Sequence, residues 1–410
     1  MSEDRPRRKR VRQPSVLPFF VYAAALLLLL GTAVTRAQDG GTSAGKNQKR
    51  KTENQMEVVG GGAAGEAGAG QSASGQTAGV SVSAEAQGGG GTGGAMPGQA
   101  ADSAAPSGRV QVTISAAGDC TLGSDENFDA STSLPAMYEE KGADWFLAGV
   151  KDIFDSDDLT LVNLEGTFTT STDRADKTFA FKADPEYVNI LTAGSVEAVN
   201  VANNHSRDYG EQSFTDTVST VESAGIAVSG YDKVAVVEKN GIKIGMTGLS
   251  TLSGMEGKEE QLKNNIANLR AQGANLIVTS FHWGIEKENT PTSDQVTMAH
   301  AAIDAGSDLV IGHHPHVLQG IEVYNGKYIC YSLGNFCFGG NKNPQDKDTA
   351  IFQQTFTFAD GVLQADENVR IIPCSLSSVS NRNDYRPTPA SGSEAERINN
   401  KIKEFSERLK

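Results

Sequence analysis

Apolar runs that stop abruptly in short polar strings recur along this chain, and the strings hold five of its six histidines. Val110–Ile114 leads to Asp119, and Leu159–Leu164 to Glu165. Val196–Ala202 leads to Asn203-Asn204-His205, Leu276–Phe281 to His282-Trp283-Gly284, and Leu309–Ile311 to Gly312-His313-His314-Pro315-His316. Between them lie segments with apolar residues at helical spacing. Strands alternating with helices form a mostly parallel sheet, and the carboxyl ends of such strands share one edge. Side chains far apart in sequence can therefore meet there. Carboxylate, amide and imidazole donors without cysteine suit divalent ions such as Mn, Zn, Fe or Mg, among which sequence does not choose.

The pattern predicts strands over 110–114, 159–164, 196–202, 226–228, 276–281 and 309–311. Helices are expected over 143–154, 185–193, 211–224, 259–271 and 293–305, the third stopping at Gly225. Two Asn-Gly turns, Asn240-Gly241 and Asn325-Gly326, predict hairpins joining 234–237 to 242–247 and 321–324 to 328–332. Segments 350–358 and 369–372 alternate as antiparallel strands. The expected class is α/β with two sheets, helices covering the outer faces.

Outside that region the composition changes. Residues 1–16 hold six Lys/Arg against Glu3 and Asp4, and 17–34 run without a charge. Such a run can just span a hydrocarbon core, and its basic flank stays cytoplasmic. Arg36 spoils a small-x-small cleavage site. We therefore expect a cytoplasmic tail over 1–16, an uncleaved transmembrane signal-anchor over 17–36 and everything beyond outside the cell. Residues 37–108, dominated by Gly, Ala, Ser and Gln, are expected to be a disordered linker. Residues 109–380 suffice for one domain, and 381–410 read as a polar tail with a short charged helix over 394–409. The formal net charge of −14, despite the basic start, argues against nucleic acid as a partner. Of the four cysteines, Cys330 and Cys337 either pair across a hairpin or remain buried thiols.

Six strings make a recognisable set: Gly118-Asp119-x-x-Leu122-Gly123, Asn163-x-Glu165, Asn203-Asn204-His205-x-x-Asp208-x-Gly210, His282-Trp283-Gly284, Gly312-x-His314-Pro315-His316-Val317-x-Gln319 and Tyr331-Ser332-Leu333-Gly334-Asn335-Phe336. Their order and spacing over about 110–376 resemble the CapA-type capsule or poly-γ-glutamate biosynthesis family. That family is similar to calcineurin-like metallophosphoesterases. The resemblance implies a four-layer α/β/β/α sandwich of metallophosphatase type, with two divalent metal ions between the sheets. By motif, Asp119, Glu165, Asn204, His282, His314 and His316 match ligand positions, and His205 matches a catalytic histidine. Thr121 stands where phosphoesterases of that kind carry histidine, which removes one imidazole. Glu165 stands where aspartate is usual.

In that reading two cations bridged by Glu165 would acidify a shared water and stabilise attacking and leaving oxygens. His205 would protonate a leaving group, and Asp208 would fix its tautomer. Lys182 is a candidate for holding a substrate carboxylate or phosphate, and Asn335 for lining the pocket. His313 reads as a bystander, His300 as an ordinary helical histidine and Trp283 as core. The resemblance implies an extracellular, membrane-tethered protein handling an anionic polymer such as poly-γ-glutamate, beside membrane synthetase or export subunits. A surface phosphoesterase and a non-catalytic scaffold remain open as alternatives.

Overall fold

The computed structural model describes residues 108–364 and 368–410. The expected tail, signal-anchor and, up to Gly108, linker lie outside the described residues. No helix among the described residues is long and apolar enough to cross a membrane.

Two large sheets carry the domain. The first runs in the order Thr388–Pro389, Val369–Ser375, Asp348–Ala359, Arg109–Thr121, Leu159–Leu164, Ala198–Asn200, Ala227–Ser229. Its last four strands are parallel and the others antiparallel. Arg109–Thr121 pairs with Asp348–Ala359 along its first part and with Asn335–Phe338 near its carboxyl end. The second sheet runs Ile321–Tyr324, Lys327–Cys330, Leu309–His313, Leu276–His282, Ile242–Ser250, Ala235–Lys239. Its four central strands are parallel, and an antiparallel hairpin closes each edge. Both hairpins turn on Asn-Gly with positive φ at each residue: 54° and 77° at Asn240-Gly241, 50° and 74° at Asn325-Gly326. That is the geometry the dipeptide favours.

Alternation along the strands assigns their side chains to different cores. Val112, Ile114 and Leu161 of the first sheet share a core with Ile244, Val278 and Ile311 of the second. Their neighbours Val162, Leu164 and Val199 pack instead with Phe146, Phe154, Ile190 and Val221. On the second sheet Ile277, Val310 and Ile329 join Leu262, Ile266, Leu269, Met298 and Ala302 of the helices Lys258–Ala271 and Ser293–Asp304. Each such buried aliphatic side chain contributes roughly 1.5–3 kcal/mol of transfer free energy.

Three features differ from the sequence expectation. The helix over 143–154 is broken into Asp144–Leu147 and Lys151–Phe154. At the break a Cβ on Gly149 would lie 2.4 Å from the Pro387 carbonyl oxygen, so a distant segment crosses there against bare backbone. A helix over Leu134–Lys141 was not expected, although Ser133 caps it and Pro135 occupies its first turn. The stretch read as a polar tail is built into the domain. Thr388–Pro389 extends the first sheet, and the helix Gly392–Glu407 buries Ile398, Ile402 and Phe405. Arg397 and Lys401 of that helix bind the buried Asp348. Of the two alternatives left open for Cys330 and Cys337, the structure has the buried thiols. Cys330 lies in the core between the sheets and Cys337 in an outer one, and all four cysteines are buried thiols.

Candidate metal centre

The carboxyl ends of the parallel strands deliver the polar strings to one place. Asp119 lies near the end of Arg109–Thr121, Glu165 directly follows Leu159–Leu164, and Asn204 and His205 follow Ala198–Asn200. The second sheet supplies His282 as the last residue of its strand, and His314 and His316 just beyond Leu309–His313. Close backbone approaches set the geometry. The Asp119 N–H donates to the Gly334 carbonyl at 2.9 Å, and a Cβ on Gly118 would lie 2.0 Å from that same oxygen. Hence the Gly-Asp and Leu-Gly-Asn strings depend on each other. His314 and His316 adopt φ of 96° and 58°, conformations uncommon for non-glycine residues and concentrated at functional sites.

One side of the cluster is held by hydrogen bonds. Asn163 donates to Asp119 Oδ1 at 2.8 Å, and its own carbonyl accepts from Asn200 at 2.8 Å and from Asn203 at 3.4 Å. The second Asp119 oxygen accepts the His314 backbone N–H at 3.2 Å and lies 3.3 Å from His316 Nδ1. His282 Nε2 meets Asn204 Oδ1 at 2.7 Å, while its Nδ1 lies 3.3 Å from Asn163 Nδ2. An Asn163 N–H directed there would make Nδ1 an acceptor and place the ring proton on Nε2.

The other side is unspent. Glu165 is fully buried, yet its Oε1 has no hydrogen-bond partner, and neither has His314 Nδ1. That carboxylate oxygen lies 3.6 Å from His282 Nε2 and 3.9 Å from both His205 Nε2 and His316 Nε2. Ligand atoms of Glu165, His314 and His316 fall within 4.8 Å of one another. Orphaned buried acceptors cost free energy unless something fills them. A divalent cation fits this oxygen and imidazole donor set.

Protonation follows the same division. Burial pushes the Glu165 carboxyl up to about 7, against the opposing pull of His316. Burial opposes the His316 charge too, but Glu165 and Asp119 outweigh it and carry that imidazole up to about 10. Burial would raise Asp119 as well, yet its bond to His316 and the nearby imidazoles hold it below the ordinary carboxylate range. His282 is driven well down by burial, as are His313 and His314, both to about 4. Neutral imidazoles are the ligand form.

Beside the cluster, His205 Nδ1 lies 2.7 Å from Asp208 Oδ2, which also accepts the Phe181 N–H at 2.6 Å. Lys177 completes the group, donating to Asp208 Oδ1 and to the Asn204 carbonyl, each at 2.8 Å. The structure therefore brings together Asp119, Glu165, Asn204, His205, Asp208, His282, His314 and His316. Asn335 adjoins them through His316 Nδ1 at 2.8 Å. Lys182 points elsewhere: its ammonium donates to the Ser171 carbonyl at 2.8 Å and lies 4.3 Å from the Tyr209 ring centre. His313 is buried 3.5 Å from Asp119 with neither ring nitrogen hydrogen-bonded. His300 stacks on Tyr324 and meets Glu322, away from the cluster, and Trp283 is core. Lys177 went unnoticed in the sequence, where it is one lysine in a polar loop.

A family model described as bacterial capsule synthesis protein PGA_cap matches residues 113–340, more than half of the chain and all of the cluster. The chain belongs to this family. PGA biosynthesis protein CapA of Bacillus subtilis is 34% identical over 241 residues, 53% of this chain and 62% of that protein. Capsule biosynthesis protein CapA of Bacillus anthracis is 33% identical over 202 residues, 44% and 49% of the two chains. A probable polyglutamine synthesis accessory protein of Mycobacterium tuberculosis is 29% identical over 208 residues, 43% and 55%. The chain thus spans between about half and three fifths of the length of these PGA_cap relatives. Among solved structures, a hypothetical protein of Thermus thermophilus aligns with a TM-score of 0.42 at 13% identity, over 64% of this chain and 98% of that one.

Proposed function

We propose that this member of the PGA_cap family acts in capsule or poly-γ-glutamate synthesis as a membrane-anchored extracellular protein with a divalent-metal hydrolase-type site for an anionic polymer. The observation that carries the chemistry is the buried, unpartnered donor set of Glu165 and His314 beside His316 and His205. Asp119, Glu165, Asn204, His282, His314 and His316 would hold one or two ions, in a four-layer sandwich that the inner and two outer cores support. A bound divalent ion supplies Lewis acidity at the bond to be cleaved. The remaining work falls to the chain. Asp208, accepting at His205 Nδ1, leaves Nε2 directed to the cluster, 3.9 Å from Glu165, to take or give a proton. Lys177 offsets the buried Asp208 charge and ties it to the Asn204 loop. The basic and apolar segments at 1–36 support the anchor, and the roles named for the relatives support the polymer.

The test is a host lacking this protein, complemented with the full chain or its His316→Ala variant. Parent protein should retain divalent metal and restore surface polymer, while the folded variant does neither. A metal-free parent, or a metal-free variant that restores polymer fully, would leave only a scaffolding role.

A further inference from the structure

The helix Gly392–Glu407, which the sequence places in a polar tail, bears on two of the strings that build the candidate centre. It reaches the first directly. Ile398 and Ile402 pack against Leu318, two residues past His316. A Cβ on Gly320 would lie 2.7 Å from the Phe405 carbonyl oxygen, and Ser406 Oγ accepts the Ile321 N–H at 2.8 Å. Helix backbone therefore rests on the segment that leaves the histidine cluster.

The second string is reached through Asp348. Arg397 grips both oxygens of that carboxylate, at 2.5 and 2.7 Å, while Lys401 donates to one of them at 3.0 Å and to Asp346 at 2.6 Å. Asp348 is only 6% exposed, so its charge depends on these two cations. It also opens the strand Asp348–Ala359, whose first two residues bear on Leu333-Gly334. The Thr349 hydroxyl donates to the Leu333 carbonyl at 2.7 Å, and a Cβ on Gly334 would lie 3.0 Å from the Asp348 carbonyl oxygen. Gly334 in turn receives the Asp119 N–H, and Asn335 meets His316 Nδ1. Two routes from one helix thus converge on Asp119 and His316.

We propose that Arg397 and Lys401 are positioning residues for the candidate centre. By fixing Asp348 they fix Leu333-Gly334-Asn335, and with it the placing of Asp119 and His316 toward a bound ion. The role rests on the proposed metal site. Ile398, Ile402 and Phe405 already supply the apolar contacts that hold the helix to the domain. What the two cations add is a fixed spacing, because a forked guanidinium–carboxylate pair is directional where apolar packing is not.

Mn titration of the full chain in detergent, read by electron paramagnetic resonance, tests this. Arg397→Ala combined with Lys401→Ala should weaken Mn binding about tenfold, the low end for groups that orient ligands through others, and change the line shape of the bound ion. Lys401→Arg should behave as the parent, and so should Lys403→Ala, on the exposed face of the same helix. Coupling between two sites is reciprocal, so Mn should in turn slow amide exchange over 396–407 in the parent by a similar factor. That measurement decides the matter even where the double variant fails to fold. Unchanged affinity and line shape in a folded double variant, or exchange over 396–407 indifferent to Mn, overturns the role. Mn bound by the parent with the helix uncoupled sinks this inference alone, whereas a parent that binds no Mn sinks the proposed metal site and the positioning role together.

Discussion

The two sides of the cluster are built on opposite principles. Around Asp119 and His282, side-chain hydrogen bonds through Asn163 and Asn204 fix the groups before anything binds. Around Glu165 and His314, also buried, Glu165 Oε1 and His314 Nδ1 have no hydrogen-bond partner. The first side is a frame whose stability belongs to the protein, and the second is a set of unmet lone pairs whose stability belongs to a ligand. Strained backbone at His314 and His316 lies on the second side, where binding free energy can offset it.

The comparison breaks most sharply at Glu165. Glu165→Gln keeps the shape but removes the charge and one strong donor atom. Because loss of a group that merely orients a ligand costs about 10–100-fold in metal affinity, loss of this ligand should cost on the order of a hundredfold or more. Titration calorimetry with Mn, followed by metal analysis, measures it. Retained affinity would mean that Glu165 is an ordinary buried carboxyl. Folding stability should hold or rise, since a charge that burial disfavours disappears.

Asn163→Ala is the reciprocal variant. It strands a buried Asp119 oxygen and the Asn200 amide, while Asn203 keeps its bond to the Leu164 carbonyl, so stability should fall by about 3 kcal/mol, read as a lower denaturant midpoint. Metal affinity should fall less than for Glu165→Gln. If the order is reversed, frame and ligand side have been misassigned.

Much of this division was legible beforehand, but unevenly. The ligand side is written in local strings, because a strand that ends in histidine delivers it to a shared edge whatever else the fold does. The frame is not. Asn163 stands in a motif, but nothing in its spacing says that it joins Asp119, Asn200 and Asn203. Lys177 meets Asp208 only because the 172–182 loop folds back, and Lys182, five residues on, is the candidate the resemblance offers, since related chains often carry a basic residue there. Asn335 entered as a pocket residue and proves to bond His316. The same limit explains the broken helix at Gly149, whose cause lies at Pro387, far along the chain. Periodicity reports what one element does alone; crossings and hydrogen-bond hubs need two.

Protons sharpen the comparison further. With no ion bound, His316 holds its proton up to about pH 10 instead of the ordinary 6.5, so its contribution to stability is complete below 6.5 and lost as pH rises through 10. Glu165, raised from 4.5 to about 7, acts in the same direction, its contribution fading as pH climbs through 7. Metal-free protein should therefore lose stability between about pH 6.5 and 10 relative to the His316→Ala variant, which keeps Glu165. Loaded protein should show the reverse slope, because the ion competes with protons for the same atoms. Melting curves across that range, with and without Mn, check both signs. Parallel slopes would mean that the ion does not displace the His316 proton.

The smallest expected effect concerns Lys182. Its ammonium is engaged by the Ser171 carbonyl and the Tyr209 face, outside both sides of the cluster. Lys182→Ala should cost about 0.5–1 kcal/mol, the worth of an exposed cation–ring contact, and leave metal affinity within about twofold. Lys177→Ala removes the ammonium that meets buried Asp208, so it should cost more, about 2 kcal/mol, and shift the pH dependence of any turnover. Equal effects would show that the 172–182 loop rearranges on binding and carries Lys182 to the ligand. An effect of Lys182→Ala on polymer binding with stability unchanged would place it in contact with substrate, as its position in the sequence first implied.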